Sequence, residues 1–106
     1  MAILQIPVRN DTPAYQFSMT LQNRIFNFNF RFNSRTNIWS MDIADESQNS
    51  IFDGIPLLTG ILLTLDFVNP LKPPGDFLLV DESGKNRNAD RETLGKDVKL
   101  LYVEAL

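Results

Sequence analysis

The strict alternation of apolar and polar side chains between residues 15 and 33 most limits what this chain can fold into. Every second residue of 15–21 is apolar, and every second residue of 26–32 is phenylalanine. Successive side chains of a strand point to opposite faces, so each segment has one apolar and one polar face. A helix would scatter these rings around its surface. The short polar link at residues 22–24 therefore predicts a hairpin of two antiparallel strands.

Further segments of strand length follow along the chain. Residues 38–44 alternate in the same way, and residues 77–81 and 98–103 are short apolar runs. Residues 51–56 contain a glycine and a proline, which is typical of an edge strand or a bulged one. Only residues 90–95 are expected to make a helical turn, with an aspartate as its N-cap and a glycine as its stop.

These segments predict an all-β fold with almost no helix. We expect a single small antiparallel β-barrel or sandwich of seven to eight short strands, with residues 1–106 as one domain. A chain of 106 residues is long enough to bury one hydrophobic core without disulfides.

The sequence contains neither cysteine nor histidine. Thiolate nucleophiles, Ser-His-Asp arrangements and the usual zinc and haem ligands are therefore excluded. Asp42, Asp45, Glu46 and Asp53 lie close together in sequence, but a polar strand face and turn chemistry explain them better than an acid–base pair. Arg31 can pair with a carboxylate such as Asp42 in the same chain, which is favoured, or with one on a neighbouring protein. We predict no catalytic, cofactor-binding or metal-ligating residue, and no enzyme activity.

Charge and hydropathy limit the partners. The net charge of −3 argues against a protein that grips nucleic acid through phosphates. The most apolar window, residues 55–65, is far too short to span a membrane. The phenylalanines of 26–32, with Arg31 and Arg35, resemble a stacking platform for an oligonucleotide or oligosaccharide. A core role for these rings is favoured, and a monomeric β-barrel binding module is the alternative hypothesis.

Two segments, residues 55–65 and the end of the chain, are apolar on both of their faces, more than one small core requires. We expect them to pack against another protein or another copy of the chain. The candidate interface residues are Ile55, Leu57, Leu58, Ile61, Leu62, Leu63, Leu101, Tyr102 and Leu106.

Several motifs, taken together, resemble a known family. Residues 28–43 (FNFRFNSRTNIWSMDI) carry an aromatic-Arg-x-Asn-x-Arg-x3-Trp-x-x-Asp pattern, and residues 54–65 (GIPLLTGILLTL) carry a Gly-x-Pro-Leu-x-x-Gly block. Residues 73–81 (PPGDFLLVD) and 94–103 (LGKDVKLLYV) follow in the expected order. The chain resembles the small baseplate plug proteins of contractile-tailed bacteriophages, over residues 17–103.

The resemblance implies a structural virion protein without catalytic residues or cofactor. It places the protein in the tail baseplate, as a plug or adaptor in the hub that contacts tube, hub or spike proteins. It also implies a homo-oligomer, with three copies expected from the symmetry of the spike, assembled in the host cytoplasm. No membrane and no nucleic-acid partner are expected.

Overall fold

The alternating segments form strands in the structure, a computed structural model that describes residues 3–63, 73–85 and 87–104. Seven strands and no helix are found in those residues, which confirms the prediction of an all-β chain with seven to eight strands. The strands are β1 (Ile3–Ile6), β2 (Ala14–Leu21), β3 (Arg24–Asn33), β4 (Ile38–Asp45), β5 (Ser50–Pro56), β6 (Asp76–Asp81) and β7 (Val98–Val103).

The strands form two antiparallel sheets that pack as an open sandwich. The large sheet has the order β2-β3-β4-β5, and the small sheet has the order β1-β7-β6. The sheets do not close into a barrel, so the sandwich is the correct one of the two predicted architectures. Their inner faces meet where Phe28 of β3 contacts Phe77 of β6, with ring centroids 6.0 Å apart.

A tight turn sets the register of the first hairpin. Leu21 pairs with Arg24, and the two residues between them, Gln22 and Asn23, have φ angles of 48° and 72°. Two successive residues in the left-handed region match the twist of the flanking strands, as in a type I′ turn. The resulting register places three apolar residues of β2 opposite phenylalanines of β3 on one face, as the pairs Tyr15–Phe30, Phe17–Phe28 and Met19–Phe26.

Stacked aromatic rings fill the centre of the sandwich. Phe26, Phe28 and Phe30 are at most 1% exposed, which confirms the core role favoured for them. Tyr15 stacks on Phe30 at 5.3 Å between centroids, and Phe28 lies 6.3 Å from Phe30. Offset stacking contributes free energy beyond the burial of ring area, so the register of the hairpin and the packing of the core support each other.

The loop expected to contain a helical turn closes one end of this core. The carboxylate of Asp90 accepts hydrogen bonds from the backbone N–H groups of Glu92 (2.8 Å) and Thr93 (2.9 Å), as an N-cap does. Gly95 ends the turn with a φ of 82°. The turn does not continue into a helix. The indole N–H of Trp39 donates to the carbonyl oxygen of Asp90 at 2.8 Å, so the loop is fixed to the core.

Tyr102 joins the two sheets at the opposite end. Its side chain is fully buried on β7, and its hydroxyl donates to Oε1 of Gln22, in the β2–β3 turn, at 2.6 Å. The same hydroxyl accepts the backbone N–H of Gly75 at 2.7 Å. Burial raises the pKa of Tyr102, so the hydroxyl stays protonated and keeps its donor. A Cβ at Gly75 would collide with the Tyr102 ring and the carbonyl oxygen of Val103, which explains glycine there.

Replacing Tyr102 by phenylalanine should destabilise the protein by about 1–3 kcal/mol, because the buried N–H of Gly75 loses its acceptor. Urea unfolding followed by tryptophan fluorescence measures the change. Tyr15→Phe is the matched control, since that hydroxyl accepts one bond, from the backbone N–H of Arg9, at a part-buried position. Equal losses of unfolding free energy in the two variants would contradict a special role for the Tyr102 link.

Candidate protein interface

The two outer faces of the sandwich differ in chemistry. The outer face of the large sheet is mainly polar because most residues between its core-facing positions carry amides, hydroxyls or charges, with Ile25 as an exposed exception. Ser18 Oγ donates to Asn27 Oδ1 at 2.5 Å, and Asn27 Nδ2 donates to the carbonyl oxygen of Asp45 at 2.7 Å. These short polar side chains form hydrogen bonds with neighbouring strands of the same chain, so their polar groups have partners within the sheet.

Asp42 is the centre of that polar face. Its carboxylate lies 2.9 Å from Nη2 of Arg31 and accepts the side-chain N–H of Asn29 at 3.2 Å and the backbone N–H of Gly54 at 2.6 Å. The bulge in β5 brings Gly54, with a φ of 68°, into reach. The predicted internal ion pair between Arg31 and Asp42 is therefore confirmed. The carboxylate ties three strands together.

Asp45 acts as the cap of its own turn. Its Oδ1 accepts the backbone N–H groups of Ser47 and Asn49, both at 2.9 Å. The hydrogen bond from Asn49 is the main cause that lowers the pKa of Asp45, with further lowering from Ser47 and Arg24. Asp42 and Asp45 thus have structural partners, in agreement with the turn and ion-pair interpretation of the carboxylates.

The outer face of the small sheet is largely apolar. Of the eight residues of β1, β6 and β7 that alternate with the core positions and point outward, five are aliphatic, and the other three are Gln5, Asp76 and Lys99. Leu78 of β6 pairs with Leu101 of the central strand β7, and both are partly exposed. We call this surface the apolar face. It consists of Ile3, Leu62, Leu78, Val80, Leu101 and Val103.

The segment that follows β5 extends the apolar face beyond β6. Gly60 N–H donates to the carbonyl oxygen of Leu79 at 3.2 Å, and Leu63 N–H donates to that of Phe77 at 2.9 Å. Leu62 forms an antiparallel bridge with Leu78 and is 39% exposed. These backbone bonds hold the segment against β6, so its outward side chain is positioned before any partner arrives.

The predicted interface residues fall into different environments. Ile61 and Leu62 are 50% and 39% exposed, and Leu58 and Leu101 are partly exposed. The other described ones are buried in the core of the chain itself: Ile55, Leu57, Leu63 and Tyr102. Leu106 lies outside the described residues. Residues 55–65 and the end of the chain are apolar on both faces because, in the described part of each, some side chains pack in the core and others point outward.

Sequence reasoning missed four members of the apolar face: Ile3, Leu78, Val80 and Val103. A signal for two of them was present in residues 77–81, where consecutive apolar residues leave no polar face for the strand. The outward position of Ile3 had no such signal, because it depends on the pairing of β1 with β7.

The aromatic platform of the alternative hypothesis is not accessible. Phe26, Phe28 and Phe30 face the small sheet inside the sandwich, where no base or sugar can reach them. Phe32 is partly exposed, but its ring already contacts Trp39 at 5.5 Å and the guanidinium of Arg91 at 5.9 Å. A binding module that stacks ligands on these four rings does not fit this structure.

The described residues contain no group of three or more carboxylate, imidazole or thiol side chains arranged to hold a metal ion. Within the same ranges, no helix has the length and hydropathy to cross a membrane.

The long polar loop after β6 is organised by one carboxylate. Asp81 Oδ2 accepts Nε–H of Arg87 at 3.0 Å and its backbone N–H at 2.9 Å, and Oδ1 accepts from Ser83. The Arg87 side chain holds the pKa of Asp81 well below its ordinary range, with help from Ser83. Arg87 Nη2 also reaches Asp97 at 3.3 Å, so the ion pairs connect the two ends of the loop beside the small sheet.

The low pKa of Asp81 makes a contribution to stability that depends on pH. Since the pKa is lower in the folded than in the unfolded chain, the stabilisation is complete above the ordinary value of 3.8 and is lost as the pH falls below it. We expect Asp81→Asn to lower the free energy of unfolding at neutral pH and to flatten its decline between about pH 4 and pH 2. Chemical unfolding at a series of pH values measures this, with Asp53→Asn as the charge-matched control. Parallel pH profiles for the wild type and Asp81→Asn would contradict it.

An exposed apolar patch on one side of a small β-sandwich is typical of a protein that associates through that surface. Comparison of the sequence with known protein families identifies the family. Residues 3–105 match the family described as cyanophage baseplate Pam3 plug gp18, so the chain belongs to that family. The resemblance to baseplate plug proteins is thereby confirmed, and with it a structural role in the phage tail baseplate. No curated protein matches the chain.

Proposed function

We propose that this protein is a plug or adaptor in the baseplate hub and that it docks on tube, hub or spike proteins through the apolar face. The observation that carries the proposal is the pairing of Leu78 with Leu101 at the centre of a sheet surface that also exposes Ile3 and Leu62. Such a surface is costly to leave in water, and a permanent partner removes that cost.

The composition of the surface supports a permanent contact. Burying an aliphatic side chain completely contributes about 1.5–3 kcal/mol. Each side chain of the apolar face is already partly covered and contributes only a fraction of that free energy, but the fractions add up over the six residues. Polar groups surround the centre, among them the ion pair of Lys99 with Glu82 at 2.7 Å. An apolar centre with a polar rim is the usual arrangement of stable protein interfaces.

The surface is also rigid. Leu101 lies on β7, which is hydrogen-bonded on both sides, to β1 and to β6. Little conformational entropy is lost when such a surface docks, so more of the burial free energy remains for binding. A plug that is held by shape complementarity and apolar burial needs no catalytic group. In agreement with this role, the carboxylates of Asp42, Asp45 and Asp81 form hydrogen bonds that hold strands, turns and loops of the chain.

We propose further that copies of the chain associate with one another and that the protein joins the baseplate during tail assembly in the host cytoplasm. The expectation of three copies, which rests on the resemblance, stays a prediction.

Leu101→Glu should abolish docking, because it places a charge in the centre of the apolar face. We expect the tagged variant to capture neighbouring tail proteins from infected cells at least about tenfold less than the wild type does, equal to about 1.4 kcal/mol of binding free energy. Ser40→Glu is the matched control, since Ser40 is a partly buried outward residue of the interior strand β4 in the large sheet. Circular dichroism and thermal unfolding establish that both variants fold.

Capture of no tail proteins by the wild-type chain would overturn the proposed function. Equal loss of capture in Leu101→Glu and Ser40→Glu would retain a baseplate role but reject the apolar face as the docking surface.

A further inference from the structure

The free edges of the sandwich are protected to different degrees. The outer edge of β6 is covered by residues 59–63, and β5 is bulged and contains Asp53, Gly54 and Pro56. β1 is only four residues long. Bulges, prolines, charges and short length are the devices by which proteins prevent an edge from pairing with another chain.

β2 has none of these devices. It is eight residues long, it is unbulged in its pairing with β3, and its sequence AYQFSMTL contains no charge and no proline. Among the described residues no strand pairs with its outer edge. An edge this long and regular, without a gatekeeper residue, is a template for an added strand.

We propose that β2 is a self-association surface, on which the β2 strand of a second copy pairs antiparallel about a two-fold axis. The large sheets of the two copies then form one continuous sheet. This inference deepens the self-association included in the proposed function and rests on that part of it, but it is independent of docking through the apolar face.

The backbone of β2 offers the required hydrogen-bonding groups. Pro13 accepts the N–H of Phe32 at 2.8 Å, and Leu21 pairs with Arg24 across the tight turn. Since bonded and non-bonded pairs alternate in an antiparallel ladder, the odd-numbered residues of β2 bond to β3. The N–H and C=O groups of the even-numbered residues therefore point to the free edge: Ala14, Gln16, Ser18 and Thr20.

The side-chain pattern selects the register. Opposite residues of two paired strands share a face, so the two β2 strands must pair odd with odd and even with even. Placing Phe17 opposite Phe17 of the second copy sets Gln16 opposite Ser18 and uses every outward-pointing residue of both strands. Phe17 then meets Phe17 and Tyr15 meets Met19 on the inner face, while Gln16 meets Ser18 and Ala14 meets Thr20 on the outer face. No charged residue enters the ladder, and the aromatic pair is a favourable cross-strand pair.

The surroundings of β2 leave room for the added strand. Phe17 and Met19 face the core side but are only partly buried, because no further strand lies beyond them in the described structure. An open groove of about 330 Å³ runs along the inner side of the edge between Pro7, Arg9 and Phe17. A second groove, of about 210 Å³, lies on the outer side between Gln16, Asn27 and Gln48.

A charge on the edge should prevent the pairing. In sedimentation equilibrium at about 50 µM the wild type should have the mass of two chains, and Ser18→Lys should raise the dissociation constant at least about tenfold. Ser50→Lys is the matched control, because Ser50 is an exposed serine at the start of the bulged edge strand β5. It should leave the dimer intact.

Cysteine cross-linking tests the register of the two β2 strands. The chain has no cysteine of its own, so only the introduced cysteines can form a disulfide. In the proposed register a tagged Gln16→Cys chain and an untagged Ser18→Cys chain form a mixed disulfide under mild oxidation, because directly opposite residues lie within disulfide distance. Ser18→Cys alone should cross-link far more weakly. Efficient cross-linking of Ser18→Cys with itself would overturn this register and place Ser18 opposite Ser18.

Other outcomes would overturn the proposal as a whole. A wild-type chain that remains monomeric at this concentration would refute pairing through β2 while leaving capture of tail proteins unaffected. A dimer that Leu101→Glu abolishes and Ser18→Lys does not would assign self-association to the apolar face. A mass of three chains would favour the three-fold arrangement expected from the family resemblance.

Discussion

Aromatic rings from both sheets meet in one core, and the rest of the structure depends on that packing. The stack of Tyr15, Phe28 and Phe30 covers the inner face of the large sheet, and Phe77 and Tyr102 approach it from the small sheet. Because the rings occupy every second position of β3, the residues between them must face outward. The same alternation that fills the core thus defines the outer surface of the large sheet.

The chemistry of the two outer surfaces is set by the residues that alternate with the core residues along each strand. Between the phenylalanines of β3 lie asparagines and Arg31, which form hydrogen bonds and an ion pair across neighbouring strands. Between the core residues of β6 and β7 lie Leu78 and Leu101, whose side chains are hydrocarbon and form no hydrogen bonds with water. The outer surface of the large sheet is mainly polar and hydrogen-bonded within the chain, whereas that of the small sheet keeps more exposed aliphatic area. An exposed aliphatic surface agrees with a structural member of the baseplate plug family.

Charged and polar groups hold the loops that connect these layers. Asp42 fixes the bulge of β5, Asp45 closes the β4–β5 turn, and Asp81 organises the loop before β7. Each carboxylate accepts several hydrogen bonds, which stabilises its charged form. In a sequence without histidine or cysteine, these carboxylates position backbone in the turns and loops of the sandwich.

The sequence by itself determined the strand class and the core role of the phenylalanines, because period-two alternation and short hairpin turns are local properties. It favoured an ion pair of Arg31 with Asp42 inside the chain, and the structure contains that pair. It also indicated that residues 55–65 and the chain end carry excess apolar surface. Only the tertiary structure decided that Tyr102 and Leu57 belong to the core while Leu62 and Leu101 face outward. The reason is that a strand with two apolar faces gives no internal sign of which face is covered, and that choice is made by pairing and packing against residues distant in the chain.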